Sequence, residues 1–250
     1  MSTGAVKGVH MTLKIPTSSK DLSDLQSVLL QAFSVPPPYW PKLLSDVDQK
    51  NFRILRENDE IVGAFGLYEN ALWFGGNAVQ SVGVACVAVP LIHRRSGHGY
   101  NLMKHQIREA FNKQIGIGYL YPSTDRFYQN LGYGHAGERV TRKLIGIPDI
   151  QSANILPIFP LDPTNPDDFK KIEQLHLERA RRTNGCHSRT RGLWSRLIRR
   201  PGATVRFYGF GQSSAPQGWV CVTQRHSGSP FPLLFADQVV LTPEAGKTLW

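Results

Sequence analysis

A nearly continuous run of small and β-branched residues, at 81–90, places the strongest constraint on how this chain can fold. Such a run is typical of a strand that is buried on both faces, as at the centre of a sheet. A basic, glycine-containing loop at 93–99 follows it, and residues 100–113 then place their apolar side chains on one helical face. This order of strand, loop and helix predicts the core of an α/β domain.

The loop carries the pattern Arg94-x-x-Gly97-x-Gly99. Between a strand and a helix, the backbone N–H groups of the loop and of the helix N-terminus point towards one place, which predicts an anion site. Glycine at positions 97 and 99 lets anion oxygens approach the backbone, and Arg94 and Arg95 add positive charge. A tight strand-to-helix turn with exposed arginines is the alternative interpretation of these residues.

Further elements of a mixed sheet flanked by helices are predicted on both sides of this centre. Before it, residues 21–33 have helical periodicity, and 51–56 and 60–68 form a predicted hairpin. After it come a strand at 115–121, a short helix at 124–131 that Gly132 ends, and one more strand. The fold class predicted from this order is α/β.

A second α/β domain is predicted after a connection rich in Pro, Asn and Asp at 145–167, which places the domain boundary near residue 150. Its predicted helices cover 167–182 and 190–199, and its predicted strands cover 204–210, 218–225 and 233–241. Thr242-Pro243-Glu244 has the pattern of a helix start, yet the sequence stops soon afterwards at Trp250. We therefore expect the natural protein to continue, and a short docked C-terminal helix is the alternative.

Composition narrows the class of protein. The chain is 41% hydrophobic, but no stretch approaches the roughly 18 consecutive apolar residues that a membrane helix needs. Residues 1–10 lack the apolar core of a secretory signal and are expected to form a disordered leader. Three widely separated cysteines indicate a reducing compartment, which predicts a cytoplasmic protein. The formal net charge of +10 favours anionic partners, and nucleotide cofactors, acidic proteins and nucleic acid all satisfy it.

Two segments resemble signatures of the GNAT acetyltransferase superfamily: residues 87–103 resemble its cofactor-binding segment, and 127–133 resemble its second signature. The motifs His93-Arg94-Arg95-Ser96-Gly97, 121–125, 128–134 and Asn184-Gly185 with Arg189 and Trp194 resemble the enhanced intracellular survival (Eis) type of N-acetyltransferase. This resemblance implies a catalytic GNAT domain at 11–150 and a second, incomplete GNAT-like domain at 151–250. It also implies a sterol-carrier-like third domain, absent from this sequence, and assembly into homo-oligomers.

The resemblance implies an enzyme that uses acetyl-CoA to acetylate a primary amine, on a small molecule or on a protein lysine. By position, it places the pantetheine amides against the strand backbone of Val87, Ala88 and Val89. It places the pyrophosphate among the loop and first helical residues, Arg94, Arg95, Ser96, Gly97, His98, Gly99 and Tyr100. The later part of the cofactor is expected beside Ser123 and Thr124.

Tyr128 matches the general acid of that family. In this reaction a neutral amine attacks the thioester carbonyl, and coenzyme A leaves as a thiolate that needs a proton. A tyrosine with a reference pKa of about 10 is protonated at neutral pH and can supply that proton; a packed aromatic side chain on a short helix is the alternative role. The family's general base is the C-terminal carboxylate of the full-length protein, for which Trp250 is no counterpart, so we assign no base.

Other patterns support competing functions. Nine arginines between 179 and 206 are the best argument for nucleic-acid binding. They are spread over two predicted helices and a turn with few aromatic residues for base stacking, which favours a solvated or intersubunit face. A non-catalytic acyl-CoA-binding module is a third possibility. His93, His98 and His105 lack cysteines or carboxylates at ligand spacing, so no metal site is predicted.

Overall fold

The computed structural model describes residues 11–34, 36–138, 140–141, 155–200, 202–225 and 233–249. The chain divides into two compact units: Met1–Ala71 with Val79–His135, and Leu72–Ala78 with Ala136–Trp250. The predicted leader at 1–10 and the predicted boundary near 150 lie outside the described residues.

The first unit is built on a mixed sheet, as predicted. Its strands lie side by side in chain order: β1 (Met11–Lys14), β2 (Phe52–Glu57), β3 (Glu60–Phe74), β4 (Asn77–Ala88) and β5 (Ile117–Leu120). β2 is antiparallel to both β1 and β3, whereas β4 and β5 are parallel. β1 is the strand that sequence reasoning missed, and no strand occurs among the described residues 133–138, where one was predicted. The mixed α/β architecture is confirmed.

Four helices accompany this sheet: α1 (Ser19–Phe33), α2 (Trp40–Val47), α3 (His98–Asn112) and α4 (Asp125–Gln129). Ser18 caps α1 through a capping box with Asp21. Asp21 is buried against Arg56 of β2, which donates to it over 2.8 Å. Burial opposes ionisation of Asp21, but the hydrogen bonds from Arg56 and Lys14 hold the pKa of its carboxyl well below the usual range. This buried ion pair joins α1 to the sheet.

One hydrophobic core cluster of the first unit lies where the central strands meet α3 and α4. It consists of Leu55, Val62, Phe65, Leu67, Val82, Val84, Leu102, Met103 and Tyr128. The strand predicted at 81–90 and the helix predicted at 100–113 are β4 and α3, and both supply core residues. The apolar run and the helical periodicity therefore identified the elements that enclose the core.

β4 and β5 are in close contact at Gly83, which pairs in register with Tyr119. A methyl group at Gly83 would lie 2.6 Å from the Tyr119 hydroxyl and 2.7 Å from the ring carbon that carries it. The ring cannot easily move aside, because its hydroxyl donates to Asn70 Oδ1 over 3.1 Å. Glycine is thus required at position 83 by this close approach rather than by backbone conformation.

Replacing Gly83 with Ala is expected to lower the free energy of unfolding by about 1–3 kcal/mol, the usual cost of overpacking a filled site. Gly116→Ala is the matched control, because a methyl there would meet Val79 at an ordinary contact distance of 3.7 Å. The control should stay within about 1 kcal/mol of wild type. Denaturant unfolding of both variants measures the difference, and equal stability would contradict the packing argument.

The second unit contains a four-stranded antiparallel sheet in the order β10-β9-β8-β6. Its strands are β6 (Ile158–Leu161), β8 (Ala203–Gln212), β9 (Ala215–Arg225) and β10 (Leu233–Val240), and a short β7 (Cys186–Ser188) pairs with β3. Its helices are α5 (Pro166–Arg181), α6 (Arg191–Ile198) and α7 (Pro243–Leu249). The helices and strands predicted after residue 167 are confirmed.

The connection predicted over 145–167 contains a strand in its described part. Residues 158–161 form β6, which pairs with β8 at one edge of the described four-stranded sheet. Pro160 lies opposite Tyr208 in this pairing. An edge strand tolerates proline, because the missing N–H can face away from its neighbour. The prolines therefore obscured the strand in the sequence.

The arginines of 179–206 are partly engaged within the second unit. Arg179 donates to the Gln238 carbonyl over 2.6 Å, and Arg182 pairs with Glu178 at 2.7 Å. Arg189 pairs with Asp237 of β10 and also lies 4.7 Å from the centre of the Trp194 ring. These contacts join α5, α6 and the segment between them to the sheet and to each other.

The described residues bear on metal binding and on membrane insertion. In the part of the chain that the structure describes, no group of three or more His, Cys, Asp or Glu side chains could hold a metal ion. None of the described helices is long and apolar enough to cross a membrane. Cys86, Cys186 and Cys221 form no disulfide bond with one another.

Candidate functional site

β4 and β5 separate at one end, and this opening is the centre of the candidate site. The two parallel strands pair from Ser81–Ile117 to Val84–Leu120, where β5 ends, while β4 continues to Ala88. Among the described strands, none pairs with this edge of β4 beyond Val84. Its backbone N–H and C=O groups are therefore available to a ligand, at the carboxyl ends of parallel strands where ligands commonly bind.

Cys86 changes the course of β4 within this opening. Its φ of 56° is in the left-handed region, which a residue with a side chain rarely adopts. Such a residue interrupts the regular alternation of the strand, so the backbone groups around it do not repeat the directions found earlier in β4. No sequence pattern marked Cys86 in advance, because cysteine has no preference for this conformation.

The loop after β4 leads into α3 and leaves the start of that helix open. Residues 94–97 are all exposed, Arg95 and Gly97 have φ values of 65° and 83°, and no side chain caps the helix. The first turn begins with Asn101 N–H donating to the Gly97 carbonyl over 3.0 Å. The amides just before Asn101 therefore have no helical acceptor. Together with the helix dipole, these amides suit the anion that the sequence predicts at this loop.

Gly99 connects this loop to the rest of the site. A methyl group at Gly99 would lie 3.5 Å from Phe127 of α4 and 3.6 Å from Val89. The end of β4, the start of α3 and the start of α4 are therefore packed around one small residue. Three segments that are far apart in the sequence come together here, and they are the segments singled out by the two family signatures.

Tyr128 is the buried phenol of this region, 7% exposed, and it belongs to the same core cluster as Val84. Val87, Leu120 and Phe127 pack against that cluster, so Tyr128 lies near the point where β4 and β5 separate. Burial raises the pKa of Tyr128, while a hydrogen bond with Ser123 acts in the opposite direction. The hydroxyl is thus held in its protonated form at neutral pH.

Tyr133 is a second phenol of this region, partly buried, whose ring centre lies 6.0 Å from that of Tyr128. Its hydroxyl donates to Gln106 Oε1 over 2.9 Å. Burial, with a smaller contribution from Tyr128, raises the pKa of Tyr133 to about 12. Its hydroxyl is therefore engaged within the protein, which makes Tyr133 a natural comparison for Tyr128.

The other predicted site residues have different surroundings. Ser123 and Thr124 are exposed at the start of α4, and Tyr100 is exposed beneath the ammonium group of Lys104, 4.9 Å from its ring centre. Arg94 donates to the Val89 carbonyl over 3.2 Å, which ties the loop to the end of β4. His98 alone among the predicted loop residues has a buried side chain, so it can offer an anion only its backbone.

The site can hold a long ligand that has an anionic part and an amide-containing part. The uncapped helix start and two arginines suit the anion, and a methyl group at Gly97 would project into open space where the anion is expected. The free edge of β4 suits amides, which can pair with it as an added strand. The diphosphate and the pantetheine arm of coenzyme A have these two chemistries.

A family model described as an acetyltransferase (GNAT) domain matches residues 15–136. A GCN5-related N-acetyltransferase from Anabaena variabilis has a similar structure, with a TM-score of 0.84 and 25% identity over 96% of this chain and 61% of that chain. Eis1 from Mycobacterium abscessus has a TM-score of 0.70 and 19% identity over the same shares. A probable N-acyltransferase from Enterococcus faecalis V583 has a TM-score of 0.75 and 16% identity, again over 96% and 61%. This chain thus spans 61% of the length of each, and no curated protein sequence matches it.

Proposed function

We propose that this protein is an acetyltransferase of the GNAT type, whose family model matches residues 15–136, and that it transfers an acetyl group from acetyl-CoA to a primary amine. The observation that carries the proposal is the unpaired edge of β4 directly before an uncapped helix start, with the Tyr128 phenol in the adjoining core. We propose the second unit as a GNAT-like domain that accompanies the catalytic one.

The first step of the proposed function is binding. The backbone of Val87, Ala88 and Val89 would pair with the pantetheine amides, and the amides of 95–99 would hold the diphosphate. Arg94 and Arg95 add charge at the exposed rim of the loop. Ser123 and Thr124 at the start of α4 would lie beside the later part of the cofactor. The Val89, Gly99 and Phe127 contacts keep these parts at a fixed spacing.

The second step is proton transfer. Acetyl-CoA supplies an activated acetyl thioester, so the protein has to bring an amine to the carbonyl and stabilise the departing sulfur. As the new C–N bond forms and the C–S bond breaks, Tyr128 would hydrogen bond to the developing thiolate and give it a proton. The raised pKa of Tyr128 supports this role, because the phenol must still carry its proton when the thiolate appears.

A thiol-release assay with acetyl-CoA and a panel of amines tests the proposal. The panel should contain small-molecule amines and lysine peptides, since both are acceptors for this chemistry. We expect thiol release matched by acetylated amine for at least one class. Binding of acetyl-CoA without release for any amine would favour a non-catalytic acyl-CoA module, and the absence of binding would refute both.

The basic stretch at 179–206 supports a nucleic-acid-binding function less strongly than the candidate site supports acetyl transfer. Three of its arginines have partners within the second unit, so the charge available to phosphates is smaller than the sequence suggests. We propose instead a solvated or intersubunit face in a cytoplasmic homo-oligomer, in keeping with the three widely separated cysteines of the sequence. Submicromolar binding of nucleic acid at physiological salt would instead favour a nucleic-acid-binding function for this stretch.

A further inference from the structure

Two imidazole side chains lie beneath the exposed loop of the candidate site. His93 is the residue just before the exposed segment 94–97, and His98 is the residue just after it. Their ring centres lie 5.8 Å apart with the rings nearly perpendicular, in an edge-to-face contact. The side chain of His98 is 6% exposed. The two ends of the loop are therefore joined beneath it.

Each imidazole faces one carboxylate of the hairpin between β2 and β3. His98 Nε2 lies 3.6 Å from Glu57 Oε2, and His93 Nε2 lies 3.1 Å from Glu60 Oε1, though not at a hydrogen-bonding angle. Glu57 and Glu60 are paired across the hairpin, with Asn58 and Asp59 at positive φ between them. Such a turn is tight and its geometry is well defined.

Two glutamates directly opposite each other repel, so this pair is unfavourable unless cationic or donor groups lie close to it. The two imidazoles are the groups that the fold places there. His98 Nδ1 is also buried without a hydrogen-bond partner among the described residues, and the ring contacts both Glu57 and His93. A buried polar atom without a hydrogen-bond partner destabilises the folded protein. The fold nevertheless keeps such an atom directly after the exposed loop.

We propose that His98 is a positioning residue for the diphosphate: its side chain anchors the loop amides of 95–99 to the β2–β3 hairpin through Glu57 and does not itself touch the ligand. This inference rests on the proposed function, since it concerns the same anion site. A loop whose residues 94–97 are exposed would otherwise lose conformational freedom on binding, and an anchored loop has already lost it. The anchor therefore favours ligands that carry a diphosphate.

The test compares two thioesters: acetyl-CoA, and S-acetylpantetheine, which has the pantetheine arm but no diphosphate. In His98→Leu, the ratio of kcat/KM for acetyl-CoA to that for S-acetylpantetheine is expected to fall about tenfold, through KM for acetyl-CoA. This corresponds to about 1.4 kcal/mol of binding free energy. His105→Leu is the matched control, since it makes the same change at an exposed position of α3 and should keep the wild-type ratio.

Two further measurements separate positioning from general damage. His98→Gln keeps a donor that can reach Glu57, so it should recover most of the ratio. Hydrogen exchange of peptides covering 94–99 should become faster in His98→Leu, while exchange in the rest of α3 stays unchanged. Should His98→Leu fail to fold, Glu57→Gln removes the partner's charge at a partly exposed position and carries the same expectation for the ratio and the exchange.

The inference is overturned if the ratio is unchanged in both His98→Leu and Glu57→Gln, or if both thioesters lose activity equally. The proposed function would be unaffected by that result, because the wild-type enzyme would still bind coenzyme A and acetylate amines. If calorimetry shows no binding of coenzyme A to the wild-type protein, the anion site and the proposed function fail together with it.

Discussion

Replacement of Tyr128 by Phe is expected to lower the turnover number by about 10² to 10⁴, equivalent to about 3–5 kcal/mol of transition-state stabilisation. The substitution keeps the ring that packs with Phe127 and Tyr133 and deletes only the hydroxyl. The loss should appear in kcat rather than KM, because protonation of the departing thiolate matters only in the transition state. Steady-state kinetics with an accepted amine, under conditions where chemistry limits the rate, measures it.

Tyr133→Phe is the matched control for this prediction. It removes the hydroxyl of the neighbouring, partly buried phenol, which donates to Gln106, and should cost about 1 kcal/mol of stability. Its turnover should stay within a few-fold of wild type. If Tyr128→Phe kept the wild-type kcat, or if both variants lost turnover equally, Tyr128 would be a packing residue and water the simplest source of the proton.

The strands and helices around the site were predictable where a segment has a clear and regular hydrophobic pattern. The apolar run at 81–90 and the helical face at 100–113 identified β4 and α3, because each buries a regular set of positions. β1 was missed since four residues carry too little periodicity, and β6 was missed because Pro160 lies inside it. Short edge strands are stabilised by pairing with a distant partner, which local patterns do not record.

The candidate site was predictable in its local parts and not in its assembly. Glycines at 97 and 99 indicated an anion loop by themselves, since their absent side chains are a local property. The contacts of Gly99 with Val89 and Phe127 join three separate segments, and only the family resemblance placed these together beforehand. The residue roles taken from that resemblance stay predictions until the variants are measured.

The sequence also gave no indication of how the loop is supported. His93 and His98 were weighed as metal ligands and His98 as a cofactor contact, but the structure directs both side chains towards the hairpin glutamates. The hairpin predicted from 51–56 and 60–68 is present, but β2 extends one residue further than predicted, to Glu57. The relation of Glu57 to His98 depends on the packing of β2 and β3 against α3, a tertiary feature that no spacing in the sequence expresses.

Replacement of Gly97 by Asp is expected to weaken binding of acetyl-CoA by at least about 100-fold. Gly97 has a φ of 83°, and a side chain there would project into open space at the start of α3, where the diphosphate is expected. A carboxylate within about 4 Å of a phosphate costs about 4 kcal/mol at an effective dielectric constant of 20, in addition to steric exclusion. Calorimetric titration with acetyl-CoA measures the affinity, and circular dichroism checks that the fold survives.

Two variants separate the contributions to this loss. Gly185→Asp makes the same change outside the loop, at an equally open position of the second unit with a φ of 79°, so it carries the same backbone strain and charge. The affinity of Gly185→Asp for acetyl-CoA should equal that of wild type.

Gly97→Asn has nearly the same volume as Gly97→Asp but no charge, and asparagine tolerates a left-handed backbone. If the diphosphate lies over the loop, Asn should bind acetyl-CoA more weakly than Gly and more tightly than Asp. Equal affinities for all three residues at position 97 would show that the diphosphate binds elsewhere, and the unpaired edge of β4 would then have to be explained without it.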